Sequence, residues 1–216
     1  MKKEIAVIIL AAGKSTRMKS ELPKVLHKLC GRPMLGYVLD LVATLKPKQV
    51  VAVLGYKQEL VRELIPKGIK ITLQKKLIGT ADAVKTGLAA LKGFKGTVLI
   101  LYGDNPLLKK ETLKKLLDYH LENNVDATLL TATLKKPFGY GRIMRDKYSS
   151  ICGIVEEKDA DEVQKDIKEI NTGIMAFKKE KLLAHLGSIR PNNRKKEYYL
   201  TDIIEILAKK SFLVDG

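Results

Sequence analysis

The chain predicts an α/β fold with a mostly parallel central sheet, and three observations carry that prediction. Short β-rich runs alternate with amphipathic helical stretches to about residue 125, consecutive β-rich runs follow, and 216 residues with 45% hydrophobic content suffice for one substantial core. The first strand spans Glu4 to Leu10, an almost unbroken apolar run of the kind buried on both faces. A helical pattern from Pro33 to Leu45 comes next, with Pro33 suited to a first helical turn, where its missing N–H would lack a partner anyway. Strand and helix then alternate through Gln49 to Leu54, Lys57 to Ile65, Ile69 to Leu73, Thr80 to Leu91, Thr97 to Tyr102 and Lys109 to Asn123. Beyond residue 125 the β-rich runs are Asp126 to Leu134, Gly141 to Arg145, Ile151 to Glu156 and Lys168 to Phe177, before two helices near the end. One compact domain over residues 1–216 is expected, its second lobe built on the same sheet.

The formal net charge of +16 favours anionic partners: nucleotides, sugar phosphates, nucleic acid or an acidic membrane surface. Lysines are scattered along the chain and interleaved with Glu, with no concentrated basic stripe and no aromatic-rich stacking motif, which argues against nucleic acid. Cys30 and Cys152 lack the paired spacing of a zinc site and are expected as reduced, buried thiols. Lys2 and Lys3 ahead of the apolar run Ile5 to Ala12 loosely mimic a signal peptide, but Glu4 breaks the junction and Gly13-Lys14-Ser15 is a poor cleavage site. No run approaches the ~18–20 apolar residues of a membrane span, so a soluble cytoplasmic protein is expected.

In open α/β sheets the ligand lies outside the carboxyl ends of the parallel strands, and three strand ends here carry unusual residues. After the first strand stands Leu10-Ala11-Ala12-Gly13-Lys14-Ser15-Thr16-Arg17-Met18, whose small residues let backbone N–H groups approach phosphate oxygens. Its Gly-Lys-Ser invites a P-loop reading, but the glycine required five positions earlier is Ile8, and Pro23 would interrupt the helix that a P-loop leads into. Lys14, Arg17 and Lys24 could converge on a triphosphate; a solvated basic loop is the plain alternative. Gln74 follows the third strand ahead of Gly79-Thr80 at a helix start, where an amide can donate to and accept from a pyrimidine edge, although Gln is more often simply a surface residue. Asp104, past the fourth strand in Tyr102-Gly103-Asp104, could hold Mg²⁺ or serve an Asx turn. The second lobe adds Gly139-Tyr140-Gly141-Arg142, Ile154-Val155-Glu156-Glu157, Ile170-Asn171-Thr172-Gly173 and Glu197-Tyr198-Tyr199-Leu200-Thr201-Asp202. Plain readings remain open for these too, a strand-end charge for Glu156 and a hairpin turn for Gly139 and Gly141. His27, His120 and His185 stand singly and are assigned no chemistry.

Taken together, Leu10-Ala-Ala-Gly-Lys-Ser-Thr-Arg-Met18 and Leu22-Pro23-Lys24 resemble the L-A-A-G-x-G-T-R-M and L-P-K signature of sugar-phosphate nucleotidylyltransferases, with Ser15 in place of the usual glycine. The later motifs, in order and at similar spacing over roughly residues 4–204, narrow the resemblance to bacterial N-acetylglucosamine-1-phosphate uridylyltransferases. The resemblance implies a Rossmann-like three-layer fold, its first half to about residue 125 binding nucleotide and residues from about 126 forming a β-rich sugar-binding lobe. It implies UTP and a sugar 1-phosphate as substrates and Mg²⁺ as cofactor. Leu10, Ala11, Ala12, Gly13, Lys24, Gln74, Gly79 and Thr80 would bind the nucleotide, and Arg17 and Lys24 would be catalytic. Tyr102, Gly141, Glu156, Asn171 and Thr201 would line the sugar site, and Asp104 would hold the metal. The family's second metal ligand, an Asn in a G-V-N motif, and its hexapeptide-repeat acetyltransferase half have no counterpart in these 216 residues; Asp215 stands in a different context. A homologue that binds nucleotide sugar without catalysis, or one using glucose 1-phosphate, fits the same motifs.

Overall fold

The computed structural model describes residues 4–216. The signal-like Lys2 and Lys3 lie outside the described residues, as does the side chain of Arg17. From the amino terminus, β1 (Ile5–Ala11) leads through 3₁₀ turns at Thr16–Met18 and Lys24–Leu26 to a small hairpin of β2 (Lys28–Leu29) and β3 (Arg32–Pro33). Strand and helix then alternate: α1 (Met34–Thr44), β4 (Gln49–Leu54), α2 (Gln58–Arg62), β5 (Lys70–Leu73), α3 (Thr80–Ala89), β6 (Thr97–Tyr102) and α4 (Lys110–Glu122). The chain finishes with β7 (Ala127–Thr133), β8 (Arg142–Arg145), β9 (Ile151–Val155), α5 (Glu162–Lys165), β10 (Glu169–Lys178), α6 (Lys179–His185), α7 (Asp202–Lys209) and β11 (Val214–Asp215).

Strand pairing produces a sheet in the order β11-β7-β10-β6-β1-β4-β5, with β8 and β9 branching from β10. The four strands β6, β1, β4 and β5 are mutually parallel. Reading β1, β4, β5 and β6 as first to fourth, they stand in the 3-2-1-4 order of doubly wound sheets. One strand departs from the rule of sequential neighbours: β10 inserts antiparallel between β6 and β7, pairing Met175 with Ile100 and with Leu129.

Alternation along β1 decides the layering. Ala6, Ile8 and Leu10 face α3, α6 and α7, packing with Val84, Leu88, Leu182, Ile203 and Leu207. Val7, Ile9 and Ala11 face α1, α2 and α4, packing with Leu35, Val38, Val61, Leu113 and Leu117. Both faces of the strand are therefore buried, as its unbroken apolar run requires, and the sandwich has the expected three layers.

Several details depart from the sequence-based expectations. Pro33 closes β3 and caps α1 instead of entering the helix, because its ψ of 140° is extended. The β2–β3 hairpin turns on Cys30 and Gly31, both at positive φ, and it carries Cys30 to the surface; this thiol is free but exposed rather than buried. Cys152 is free and only partly buried. His120 is a buried histidine bonded through Nδ1 to the Thr128 hydroxyl at 2.8 Å. No helix among the described residues is long and apolar enough to cross a membrane.

Candidate functional site

A doubly wound sheet changes winding direction between its first and fourth strands, here β1 and β6, and the loops past those strands part to leave a crevice. A cleft of about 220 Å³ lies there, walled by Leu10 to Gly13 past β1, by Gln74 past β5, by Gly79 and Thr80 at the start of α3, and by Tyr102 and Asp104 past β6. Lys24 also reaches it from the second 3₁₀ turn. All eight residues expected to bind nucleotide therefore share one cleft with Asp104. A wider groove continues from Gly13 and Gln74 to Lys14, Tyr56 and Lys75.

The loop after β1 is held open by its own side chains. Ser15 is buried, and its hydroxyl donates to the Leu22 carbonyl at 2.6 Å, so the residue standing in for glycine ties the loop to the Leu22-Pro23-Lys24 segment. Residues 16–18 form a single 3₁₀ turn ended by Lys19 in left-handed conformation, which excludes the long helix of a P-loop. Lys14 does not point to the Asp104 end; its ammonium stands 5.3 Å from the centroid of the Tyr56 ring. Lys24 does, forming an ion pair with Asp104, whose side chain keeps 18% of its exposure.

Gln74 is buried, and its backbone N–H donates to the Leu54 carbonyl at 2.8 Å, extending the β4–β5 ladder into the site. Next to it Gly79 adopts φ +131°, and a Cβ there would lie 2.6 Å from the backbone nitrogen of Tyr198. That close approach is needed because residues 198–200 hook onto α3. Tyr198 N–H donates to the Ile78 carbonyl at 2.8 Å, Ala81 N–H donates to the Tyr198 carbonyl at 2.9 Å, and Leu200 N–H donates to the Thr80 hydroxyl at 2.9 Å. One residue further, the Thr201 hydroxyl donates to Glu156 Oε1 at 3.2 Å. The strip 198–201 thus joins this cleft to the β-rich side.

On that side the structure brings together Gly141, Glu156, Asn171 and Thr201. Asn171 N–H donates to the Gly141 carbonyl at 2.9 Å, and a Cβ on Gly141 would lie 3.4 Å from a Glu156 oxygen. Behind them Arg142 is buried, its guanidinium donating to Glu157 at 2.7 Å and to the Tyr140 carbonyl, which braces the loop that carries Gly141. Burial raises the pKa of Glu156, with Asp159 adding to it and the Thr201 hydrogen bond and Lys195 opposing. Asp202 is pushed up to about 6, first by burial and then by Glu156, Glu205 and Asp159. Tyr102 connects the two groups: burial, then the charges of Glu156 and Asp104, hold its phenol protonated, and it lies within hydrogen-bonding reach of Thr80.

Sequence reasoning left four cleft residues without a role: Val25, Leu77, Ala83 and Glu197. Glu197 opens the Glu197–Asp202 motif, and its position beside Tyr198, where the chain crosses α3, is what brings it to the cleft. The apolar three carried no chemical signal of their own.

Residues 7–166 match the MobA-like NTP transferase domain, and the chain belongs to that family; it is an enzyme of the nucleotidylyltransferase class. Among individual proteins it is similar to the bifunctional protein GlmU of several bacteria. It is 46% identical to that of Alkaliphilus metalliredigens over 211 residues, covering 98% of this chain and 46% of the relative. It is 48% identical to that of Streptococcus thermophilus over 199 residues, covering 92% and 43%, and 47% identical to that of Pelotomaculum thermopropionicum over 211 residues, covering 98% and 46%. The chain thus spans less than half the length of these curated relatives. A solved UDP-glucose pyrophosphorylase, complexed with UDP-glucose, has the same fold with a TM-score of 0.78 at 17% identity, covering 98% of this chain and 89% of that one.

Proposed function

We propose that this chain transfers a uridylyl group from UTP to N-acetylglucosamine 1-phosphate, giving UDP-N-acetylglucosamine and pyrophosphate. The observation that supports this most is the arrangement of one continuous wall: the nucleotide residues and Asp104 in the cleft, then Tyr102, then Gly141, Glu156, Asn171 and Thr201. On this reading residues to about 125 bind the nucleotide and those from about 126 bind the sugar, in the cytoplasm. The similarity to GlmU relatives favours the same donor and acceptor.

In the reaction a phosphate oxygen of the sugar 1-phosphate attacks the α-phosphorus of UTP in line. A new O–P bond forms as the bond to the β-phosphate oxygen breaks, and pyrophosphate carries the electron pair away. Such a transfer needs positioning and charge neutralisation, with no nucleophilic side chain. Leu10 to Gly13 offer backbone N–H groups, and Lys24 and Arg17 would neutralise phosphate oxygens, Lys24 exchanging Asp104 for them. Glu156 and Asn171 would receive the acceptor's hydroxyl and acetamido groups.

Asp104 suits a hard divalent cation: it is a single carboxylate at a strand end, facing the place where phosphates would lie. Among the described residues no three His, Cys, Asp or Glu side chains gather to hold a metal, so an ion at Asp104 would complete its shell with phosphate oxygens and water, as Mg²⁺ does. When bound, the ion would supply positive charge where the departing pyrophosphate gathers negative charge.

The test is pyrophosphate release from UTP with Mg²⁺ and a panel of sugar 1-phosphates. Release that requires N-acetylglucosamine 1-phosphate is expected. Release with glucose 1-phosphate alone would reassign the acceptor, and binding of UDP-N-acetylglucosamine without any release would make the chain a binder.

A further inference from the structure

We propose that Asp82 is a positioning residue for base selection: it locks the Gln74 amide so that only an oxygen acceptor faces the nucleotide cleft. The argument rests on the reading of the cleft as a uridine-nucleotide site.

Gln74 is buried at the cleft wall with 6% exposure, so the direction of its amide matters. Its Nε2 donates to the Gly79 carbonyl at 2.9 Å and to Asp82 Oδ2 at 3.0 Å. A carbonyl and a carboxylate both only accept, and turning the amide over would set Oε1 against two acceptor oxygens. The orientation therefore follows from the chemistry of the partners, and both amide hydrogens are consumed inside the protein. Among the described residues no hydrogen bond reaches Oε1.

Gln74 is thus a pure acceptor toward the cleft, which narrows the sequence expectation that its amide could both donate and accept. A uracil joined through N1 has one ring N–H, at N3, which matches that oxygen. Cytosine presents a lone pair at N3, and would have to shift to offer its exocyclic amine instead. A site whose fixed polar group meets the wrong partner rejects it. The Gly79 carbonyl takes one amide hydrogen and also the Ala83 N–H at 3.4 Å; the acceptor for the second amide hydrogen comes from Asp82, in the first turn of α3.

The experiment measures UTP and CTP affinities by titration for the natural chain, Asp82→Asn, Asp82→Ala and Gln74→Ala, with thermal unfolding alongside. Asp82→Asn keeps the shape but offers a donor as well as an acceptor, freeing the Gln74 amide to turn. The UTP preference over CTP is expected to fall about fivefold to tenfold in both Asp82 variants, the loss of about one hydrogen bond, and at least as far in Gln74→Ala. If Asp82 merely stabilises the start of α3, both variants unfold at lower temperature and weaken UTP and CTP alike, and the unchanged preference overturns the proposal. An unchanged preference in Gln74→Ala as well would show that Gln74 does not read the base, so that the underlying reading of this wall fails with it.

Discussion

The two walls of the cleft are made from different materials. On the parallel side, small residues and backbone make up most of the wall, with Leu10 to Gly13 following a buried strand and Gly79 letting the chain at Tyr198 pass close, and its polar groups are the Lys24–Asp104 pair and the Gln74 amide held by Asp82. On the antiparallel side, charged groups are carried inward and braced, with Glu156 held by Thr201 and Arg142 by Glu157. A wall of backbone depends on shape and is indifferent to pH, whereas a wall of desolvated carboxyls is selective and pays for it in titration. On the proposed function, the first wall would take the nucleotide and the second, with its desolvated carboxyl, the acceptor.

The largest expected effect comes from the carboxylate of the parallel wall, Asp104. Asp104→Ala should lower pyrophosphate release by about 10²- to 10³-fold, as expected when a group that neutralises charge in the transition state is lost, while the melting temperature stays close to that of the natural chain. The shape-dependent wall is broken next by Gly79→Ala, which places a Cβ against the Tyr198 backbone at φ +131°. A loss of about 2–4 kcal/mol is expected in urea unfolding, together with weaker UTP binding.

Glu156→Gln sharpens the contrast without breaking either wall. It should raise KM for the sugar 1-phosphate by about tenfold, roughly the value of one charged hydrogen bond, and leave UTP affinity unaltered. If UTP affinity fell equally, the two walls would not be separable in function. The smallest effect concerns Asp202. A carboxyl whose folded pKa is about 6, against an ordinary 3.8, keeps its proton longer when folded than when unfolded. Its stabilising contribution is thus fully present below about pH 4 and lost as pH rises through about 6. Asp202→Asn should then stabilise the protein at pH 7.5 and not at pH 3.5, by about 1 kcal/mol because the group is half-exposed and screened, with the α7 amino terminus, which favours the ionised form, reducing it further.

The parallel side was also the more legible in the sequence. Unbroken apolar runs such as Val98 to Leu101 state both that a strand is buried and where it stops, so the positions of Gly13 and Asp104 follow directly, while Gln74 follows the alternating edge strand Lys70–Leu73. What escaped was long-range or very local. Nothing in the run Lys168 to Phe177 says that it will insert between β6 and β7, since pairing partners are chosen by tertiary packing. The β2–β3 hairpin is only two residues on each side, below the length at which alternation can be read, although Cys30-Gly31 followed by Arg32-Pro33 carries a turn signal. Arg142 is fully buried against expectation for its type, and its partners explain it only in the folded chain: Glu157 and the Tyr140 and Lys165 carbonyls. Asp82 had no signal beyond that of an acid in a first helical turn, because its partner lies eight residues away on another element.

The insertion of β10 also sets a schedule for synthesis. Ile100 and its partner Met175 are 75 positions apart in the chain. At the ordinary pace of translation, β6 would emerge roughly 4–15 s before the strand that covers its edge. In that interval the ribosome holds a nascent chain with the segment Thr-Val-Leu-Ile-Leu-Tyr, which contains neither charge nor proline, open along one side. The uncovered edge of β6 is thus a window for mispairing that closes only when the tenth strand arrives, and slow codons placed between these two segments would lengthen it.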